Sequence, residues 1–306
     1  MKERIAEWMI YQAAVTVIVT LVLIFVFIGK EALPVITSRD VHKEVTLKTL
    51  FLPQADKEGK KKFVWQPVSK KPKYSLAPLI LGTLKVTFVA ILFAVPLSIA
   101  AALFTSEFAP WYLRELIKPV IELLAGVPSV VLGFFALMVL AEFLQRMFGF
   151  TFRLNAINAG MALGLAVIPI VYTVSEDAFS AVPKSYREAS IALGANTWQT
   201  ARRVVLPAAM PGVFAACVLG FGRAIGETMI VLMSSGNAAI FSLPLSDSLR
   251  TLSATIAAEL AEVVVGSPHY HVLFFIGSLL FVFTFVINFL GQWFVKRLNA
   301  RLTGQE

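Results

Sequence analysis

The stretch EASIALGANTWQTARRVVLP, residues 188–207, decides how this chain is read. Ala189 to Leu193 is a short run of helix formers with small residues on one face. Gly194 then permits the left-handed turn that stops such a helix. Arg187, Arg202 and Arg203 frame the run. A helix with a small-residue face can enter a groove on another protein; the bland alternative is an amphipathic helix resting in a lipid interface. Outward on both sides the sequence turns apolar, over residues 156–172 (with room to run on to 179) and over 211–232. A basic, glycine-bent insert between two such runs belongs to a chain that crosses a membrane.

Composition agrees. The chain has 306 residues, 58% hydrophobic and 15% charged, with a mean hydropathy of +0.77. A soluble protein carries roughly a quarter charged residues, so a water-soluble globule is excluded, and disorder with it. The net charge of +8 and pI of 9.6 would also suit a nucleic-acid binder. Apolar runs of this length need a lipid solvent, so the expected environment is membrane lipid and no nucleic acid is expected as a partner. Cys217, the one cysteine, excludes an intrachain disulfide framework and reads as packing.

Four further runs lie at 13–28, 79–104, 121–141 and 272–295. The first follows Met1-Lys2-Glu3-Arg4, as a signal peptide would, but Gly29-Lys30-Glu31 follows in place of a small-x-small cleavage site, so it is kept as a helix. Six crossings put both termini on one side. The chain then divides into 1–29, the tail and first helix; 30–77, a polar loop or small cap; and 78–306, five helices including loop 181–207. Residues 30–77 hold eleven Lys/Arg against five acids, with a strand expected at 62–65. Their lysines either attract acidic partners and anions or simply keep the loop solvated. A second polar excursion, 233–271, carries a short helix expected at 252–265. His269 and His271 have the spacing of a strand and no cysteine or carboxylate set beside them, so no metal site is expected.

The spacing of residues 188–207 resembles the EAA loop of binding-protein-dependent ABC importer permeases: Glu-Ala-Ala, three residues, Gly, nine residues, Ile, one residue, Leu-Pro. Glu188, Ala189, Gly194, Leu206 and Pro207 match, with Ser190 for the second Ala and Val204 for Ile. Leu124 to Val131, Val174 to Ala178, Val182-Pro183, Tyr186 to Ala189 and Arg223-Ala224-Ile225-Gly226-Glu227-Thr228-Met229 are similar to phosphate-importer permeases. The likeness is closer to the PstC-type subunit than to its PstA-type partner and extends over about two thirds of the chain.

The resemblance implies an all-α integral membrane protein with six transmembrane helices, in the type I ABC importer permease architecture. It implies that Arg187, Glu188, Ala189, Ser190 and Gly194 form a cytoplasmic coupling helix docked on an ATPase. The implied partners are a PstA-type second permease subunit, two ATPase subunits and an extracytoplasmic phosphate-binding protein, with phosphate as cargo. The implied location is the bacterial inner membrane, multi-pass, with both termini cytoplasmic and loop 30–77 outside. That orientation runs against the positive-inside count, which gives the side of loop 30–77 14 basic residues against 11. The sequence has no Gly-x4-Gly-Lys-Ser/Thr, no nucleophile elbow and no His-Glu-x-x-His, so no enzyme activity and no cofactor are expected in this chain; ATP and Mg belong to the partner ATPase.

Charges inside hydrocarbon face a partner or a water-filled path. Arg223 and Glu227, four apart, would share one face of a continuous helix, with Gly220, Gly222 and Gly226 admitting another backbone closely. They read either as a packing ion pair or as an exchanging one, in which the guanidinium takes an oxyanion bidentately and then returns to Glu227; the resemblance implies that both are needed for transport. Lys85 either snorkels to the interface or lines the anion path. Glu122 snorkels or caps. Gly126-Val127-Pro128-Ser129 interrupts the third helix near mid-depth, as a packing kink or as pathway lining. Ser129 and Thr228 are neutral donors available to an anion. Against the phosphate reading stand a permease for another oxyanion (sulfate, molybdate or phosphonate), an ion-coupled carrier independent of any ATPase, and a membrane scaffold that moves nothing.

Overall fold

Backbone polar groups in lipid must be satisfied within the chain, which favours helices. The computed structural model describes residues 2–55 and 61–303. In chain order the elements begin with α1 (Lys2–Ala32), α2 (Pro34–Thr37), α3 (Arg39–His42), α4 (Leu47–Phe51), β1 (Gln54–Ala55) and β2 (Lys61–Lys62). Next come α5 (Ala77–Glu107), α6 (Trp111–Ala125), α7 (Ser129–Phe135), α8 (Ala141–Phe148), α9 (Ala156–Ser180), α10 (Lys184–Ala192) and α11 (Thr197–Thr200). The last are α12 (Leu206–Gly226), α13 (Met229–Ser234), α14 (Leu252–Glu259) and α15 (Pro268–Thr303). Turns of π-helix, Ala136–Leu140 and Ala201–Val205, join α7 to α8 and α11 to α12. Among the described residues six helices are long and apolar enough to cross a membrane: Ala6–Thr37, Ala77–Glu107, Ser129–Phe148, Ala156–Ser180, Thr197–Gly226 and Pro268–Leu298.

Two compact units form: Met1–Leu76 with Thr255–Val282, and Ala77–Ala254 with Phe283–Glu306. In the first of these, the first helix and the polar segment after it pack with the start of α15. In the first unit the described residues 33–55 and 61–76 form a folded cap and not a bare loop. Val35, Val41, Val45, Leu50, Trp65, Tyr74 and Leu76 are buried. Thr46 and Thr49 close the start of α4 with a reciprocal capping box. Gln66 and Lys73 exchange backbone bonds of 2.8 and 3.0 Å. The strand expected at 62–65 is confined to Lys61–Lys62, paired antiparallel with Gln54–Ala55. Helix 252–265 stops at Glu259, whose carboxylate accepts the Trp65 indole N–H at 3.1 Å and meets His269 Nε2 at 3.0 Å. His269 and His271 lie in the first turn of α15, not in a strand, and His271 Nδ1 sits 2.8 Å from the Glu31 carbonyl.

The second unit is built around α9. Two thirds (67%) of its most apolar window is buried, against 33% or less for the other spans, so it is the central helix. It packs along α5, where a Cβ on Gly160 would come within 2.5 Å of Val89, and one on Gly164 within 2.7 Å of Phe93. Lipid-facing helices gain little from hydrophobic burial, so such close backbone approach is what holds them. Asn155 caps α9 by accepting the Asn158 N–H at 2.9 Å, and Asn158 Nδ2 donates to the Ser234 carbonyl of α13 at 2.9 Å.

Two spans differ from the apolar runs. The third was expected at 121–141; instead α6 is a separate amphipathic helix, Gly126–Pro128 breaks the chain, and the span is Ser129–Phe148. Pro128 has no N–H and disfavours helix in the residue before it, a break that a hydropathy average smooths over. The fifth was expected at 211–232; the helix ends at Gly226, Glu227 is extended (φ −67°, ψ 134°), and α13 begins afresh at Met229.

Candidate functional site

Loop 181–207 folds as a helix, a turn and a second short helix. Helix α10 ends at Ala192 with Leu193 as its C-cap, and Gly194 takes φ +87°, the left-handed stop that the sequence requires there. Asn196 and Gln199 form a capping box for α11, with bonds of 2.8 and 2.9 Å. The buried hydroxyls of Ser190 and Thr200, 3.0 Å apart, tie the two helices together. Ser190 therefore serves the loop's own fold, while Glu188 and Ala189 are exposed. Around them, Tyr186, Ala189, Leu193, Gln199 and Arg203 line an open groove of about 560 Å³. Leu193 is 90% exposed.

Arg187, expected on the coupling helix, turns its guanidinium inward. It donates to both Glu107 oxygens, at 2.6 and 3.1 Å, and to the carbonyls of Val182 and Phe179, at 2.5 and 2.9 Å. Glu107, at the end of α5, is 6% exposed, and its bond to Arg187 raises the guanidinium's pKa above the ordinary value. Arg187 is thus the strut that fixes α10 to α5.

A second ionic cluster sits at the same end of the bundle. Glu176 of α9, 1% exposed, accepts from Arg114 Nη2 at 2.6 Å and Lys118 Nζ at 2.9 Å, both on α6, and from Ser180 Oγ at 2.9 Å. The Glu176 bond is the leading cause that raises the Lys118 pKa. Sequence reading assigned none of these residues a role, although an acid inside an apolar span was a sufficient signal.

The helix break at Gly226–Thr228 lies beside two of the charged residues expected in the path, Arg223 and Glu227. Arg223 is exposed on the last turn of α12. The expected i,i+4 pair with Glu227 is absent, because Glu227 leaves the helix. Its carboxylate instead accepts its neighbour's Thr228 N–H at 3.1 Å, and its carbonyl accepts Ser253 Oγ at 2.8 Å. Thr228 Oγ1 donates to the Gly226 carbonyl at 3.3 Å. Ser129 starts α7, the helix that packs on α13 with Gly133 against Met229 and Ile230. Lys85 is not brought to this break: it is buried and donates to the carbonyls of Ser242 and Pro244 at 3.1 and 2.5 Å, clamping the polar segment after α13. Glu122 is exposed. Among the described residues no three metal-ligand side chains converge.

A family model described as the binding-protein-dependent transport system inner membrane component matches residues 94–304. The chain belongs to this family. The permease is 38% identical over 256 residues to the phosphate transport system permease protein PstC of Mesorhizobium japonicum, covering 78% of this chain and 77% of that one. It is 37% identical over 233 residues to the probable ABC transporter permease protein YqgH of Bacillus subtilis, covering 76% and 75%. In fold it is similar to a permease chain of a bacterial alginate ABC importer (TM-score 0.64, 16% identity, 97% of this chain and 98% of that one). It is likewise similar to a chain of the inward-facing MetNI methionine ABC transporter (TM-score 0.55, 22% identity, 71% and 93%). The fold is that of a type I ABC importer permease, and the permease is a multi-pass membrane protein.

Proposed function

We propose that this permease is the PstC-type subunit of an ATP-driven phosphate importer. The observation that carries the reading is the charged break at Arg223–Thr228 in an apolar bundle, in a family whose relatives include phosphate permeases. Arg223 presents a planar, permanently charged fork suited to bidentate contact with a phosphate oxyanion. Among the described residues it has no ion pair, and Glu227 is turned to Thr228. In this arrangement Arg223 is open to an anion; Glu227, one residue beyond the helix, is the competitor that takes the guanidinium back and lets the anion leave. Thr228 supplies a neutral hydroxyl at the break, and Ser129 one at the start of α7.

A PstA-type chain covers the exposed face of Arg223 and completes the path. Two ATPase subunits dock on the paired coupling loops, with the exposed Tyr186, Leu193 and Trp198 entering their grooves. ATP and Mg are held by those subunits, and the permease itself hydrolyses nothing. An extracytoplasmic binding protein delivers phosphate. The coupling loop and both termini are cytoplasmic, and cap 33–76 lies outside the inner membrane.

The test is uptake of labelled phosphate by proteoliposomes holding the permease, its partner permease and ATPases, with the binding protein supplied. Uptake that needs both ATP and binding protein, and that sulfate, molybdate and phosphonate do not inhibit, supports the proposal. Uptake without ATP would make the chain an ion-coupled carrier; preference for another oxyanion would change the cargo; assembly without uptake would leave a scaffold.

A further inference from the structure

Glu176 has no assigned part in holding the anion, yet its buried carboxylate is held by three partners. It is 1% exposed and receives Arg114, Lys118 and Ser180 together. Arg114 and Lys118 are four residues apart, on one face of α6. Apolar residues of similar volume commonly hold a helix at least as firmly as a buried ion cluster does, so stability alone is a weak reason for these charges. Beyond the cluster, α6 rests on its neighbours through Ile117, Ile121 and Leu124, while Leu116 and Leu123 remain 62% and 73% exposed. The ionic cluster is the polar tie between α6 and α9, at the end of the bundle where the coupling loop leaves α9.

From there α6 leads to the Gly126–Pro128 break, then to α7, which packs on α13 immediately after Thr228. Resting on the proposed ATPase docking of the coupling loop, the geometry points to Glu176 as a positioning residue. It makes α6 move with α9 and the coupling loop as one body. A displacement of the loop then arrives at the Gly126–Pro128 break and, through α7, at the Arg223–Thr228 break. The Arg187–Glu107 strut binds α5 to the same body.

The experiment uses the reconstituted importer in two readouts. The first is phosphate moved per ATP hydrolysed, for the unmodified complex and for Glu176→Gln, Glu176→Asp and Lys118→Gln. The second is the distance between spin labels on cysteines replacing exposed Glu115 of α6 and Lys184 of α10, in a Cys217→Ser background, with and without ATP. The expected result is a drop of about fivefold in phosphate per ATP for Glu176→Gln, within the range such network residues carry, with complex assembly and ATP hydrolysis retained. Glu176→Asp should recover most of the ratio. The label distance should be single and indifferent to ATP in the unmodified complex, and broad in Glu176→Gln. Lys118→Gln, which leaves Arg114 in place, should fold and show a smaller loss of the same kind, so it decides the matter if Glu176→Gln does not assemble. An unchanged ratio with an unchanged distance would overturn the inference, as would assembly, hydrolysis and uptake falling in proportion. Absence of phosphate uptake by the unmodified complex would refute the proposed cargo, while the label distances would still judge the rigid joint.

Discussion

The cap, residues 33–76, and the coupling loop, 181–207, are both basic segments, and they differ in where they put charge. The cap buries Val35, Val41, Val45, Leu50 and Leu76, leaves Leu33, Ile36, Leu52 and Val68 exposed, and turns Lys48, Lys61, Lys70 and Lys71 outward. The coupling loop places charge inside, in Arg187 against Glu107, and leaves Tyr186, Ile191, Leu193 and Trp198 in the open. In the cap the charges lie at the surface around an apolar core, whereas in the loop an ion pair is part of the internal scaffold, as the proposed docking of a partner would use it. Net charge, equal in sign for both, does not distinguish them; the direction in which each side chain points does.

The largest effect is expected where the loop's internal charge is removed. Arg187→Ala leaves the buried Glu107 carboxylate without its cation, a destabilisation of about 3–5 kcal/mol. The measurement is thermal unfolding of the detergent-solubilised permease together with recovery of bound ATPase, and both should fall. Loss of ATPase with unchanged unfolding would mean that Arg187 touches the partner directly and is no strut.

Leu50→Ala in the cap is the counterpart. Leu50 is fully buried, so the cavity costs about 3 kcal/mol. Limited proteolysis should then cut within 33–76, while ATPase recovery stays as in the unmodified chain. Impaired ATPase binding by this variant would erase the separation of the two segments.

The smallest effect appears only at alkaline pH. Burial, with the Glu44 and Glu259 charges nearby, pushes the Tyr74 hydroxyl up to about 12 from its ordinary 10.0. In the unfolded chain Tyr74 ionises first, so its contribution is full below pH 10 and is lost as pH rises through about 12. Proteolytic opening of the cap should rise over that window, and Tyr74→Phe should remove the step. A step of the same size in the Phe variant would assign it to another group.

The coupling loop was legible because its information is local: Glu188, Gly194 and Pro207 fix a helix, a turn and a re-entry by spacing alone, and Gly194 adopts the left-handed backbone its position demands. The six spans were legible for the same reason, as continuous apolar runs. What escaped depends on breaks and distant partners. The interruption at Gly126–Ser129 was legible, but not that it separates α6 from the third span; the end of the fifth span fell within apolar sequence, so Glu227 stopped a helix that hydropathy alone would continue. The Arg223–Glu227 pair was expected from i,i+4 spacing, which holds only if the helix goes on. Glu176 meets Arg114 across 62 residues, and Arg187 meets Glu107 across 80, separations that no local pattern encodes. The cap escaped because its core residues are spread singly among lysines, with no period to mark them.

The most direct test is Leu193→Asp. The side chain is 90% exposed, so the folded permease should be unaffected to within about 0.5 kcal/mol, and the substitution acts only on what covers that face. The measurement is ATP-driven phosphate uptake by proteoliposomes of the reconstituted importer, normalised to permease inserted in the membrane, with ATPase recovery read in parallel. The expected result is normal insertion, with ATPase binding and uptake both lost. Uptake at the unmodified level, with a charge at the centre of the exposed apolar face, would contradict the coupling loop as the seat of the ATPase.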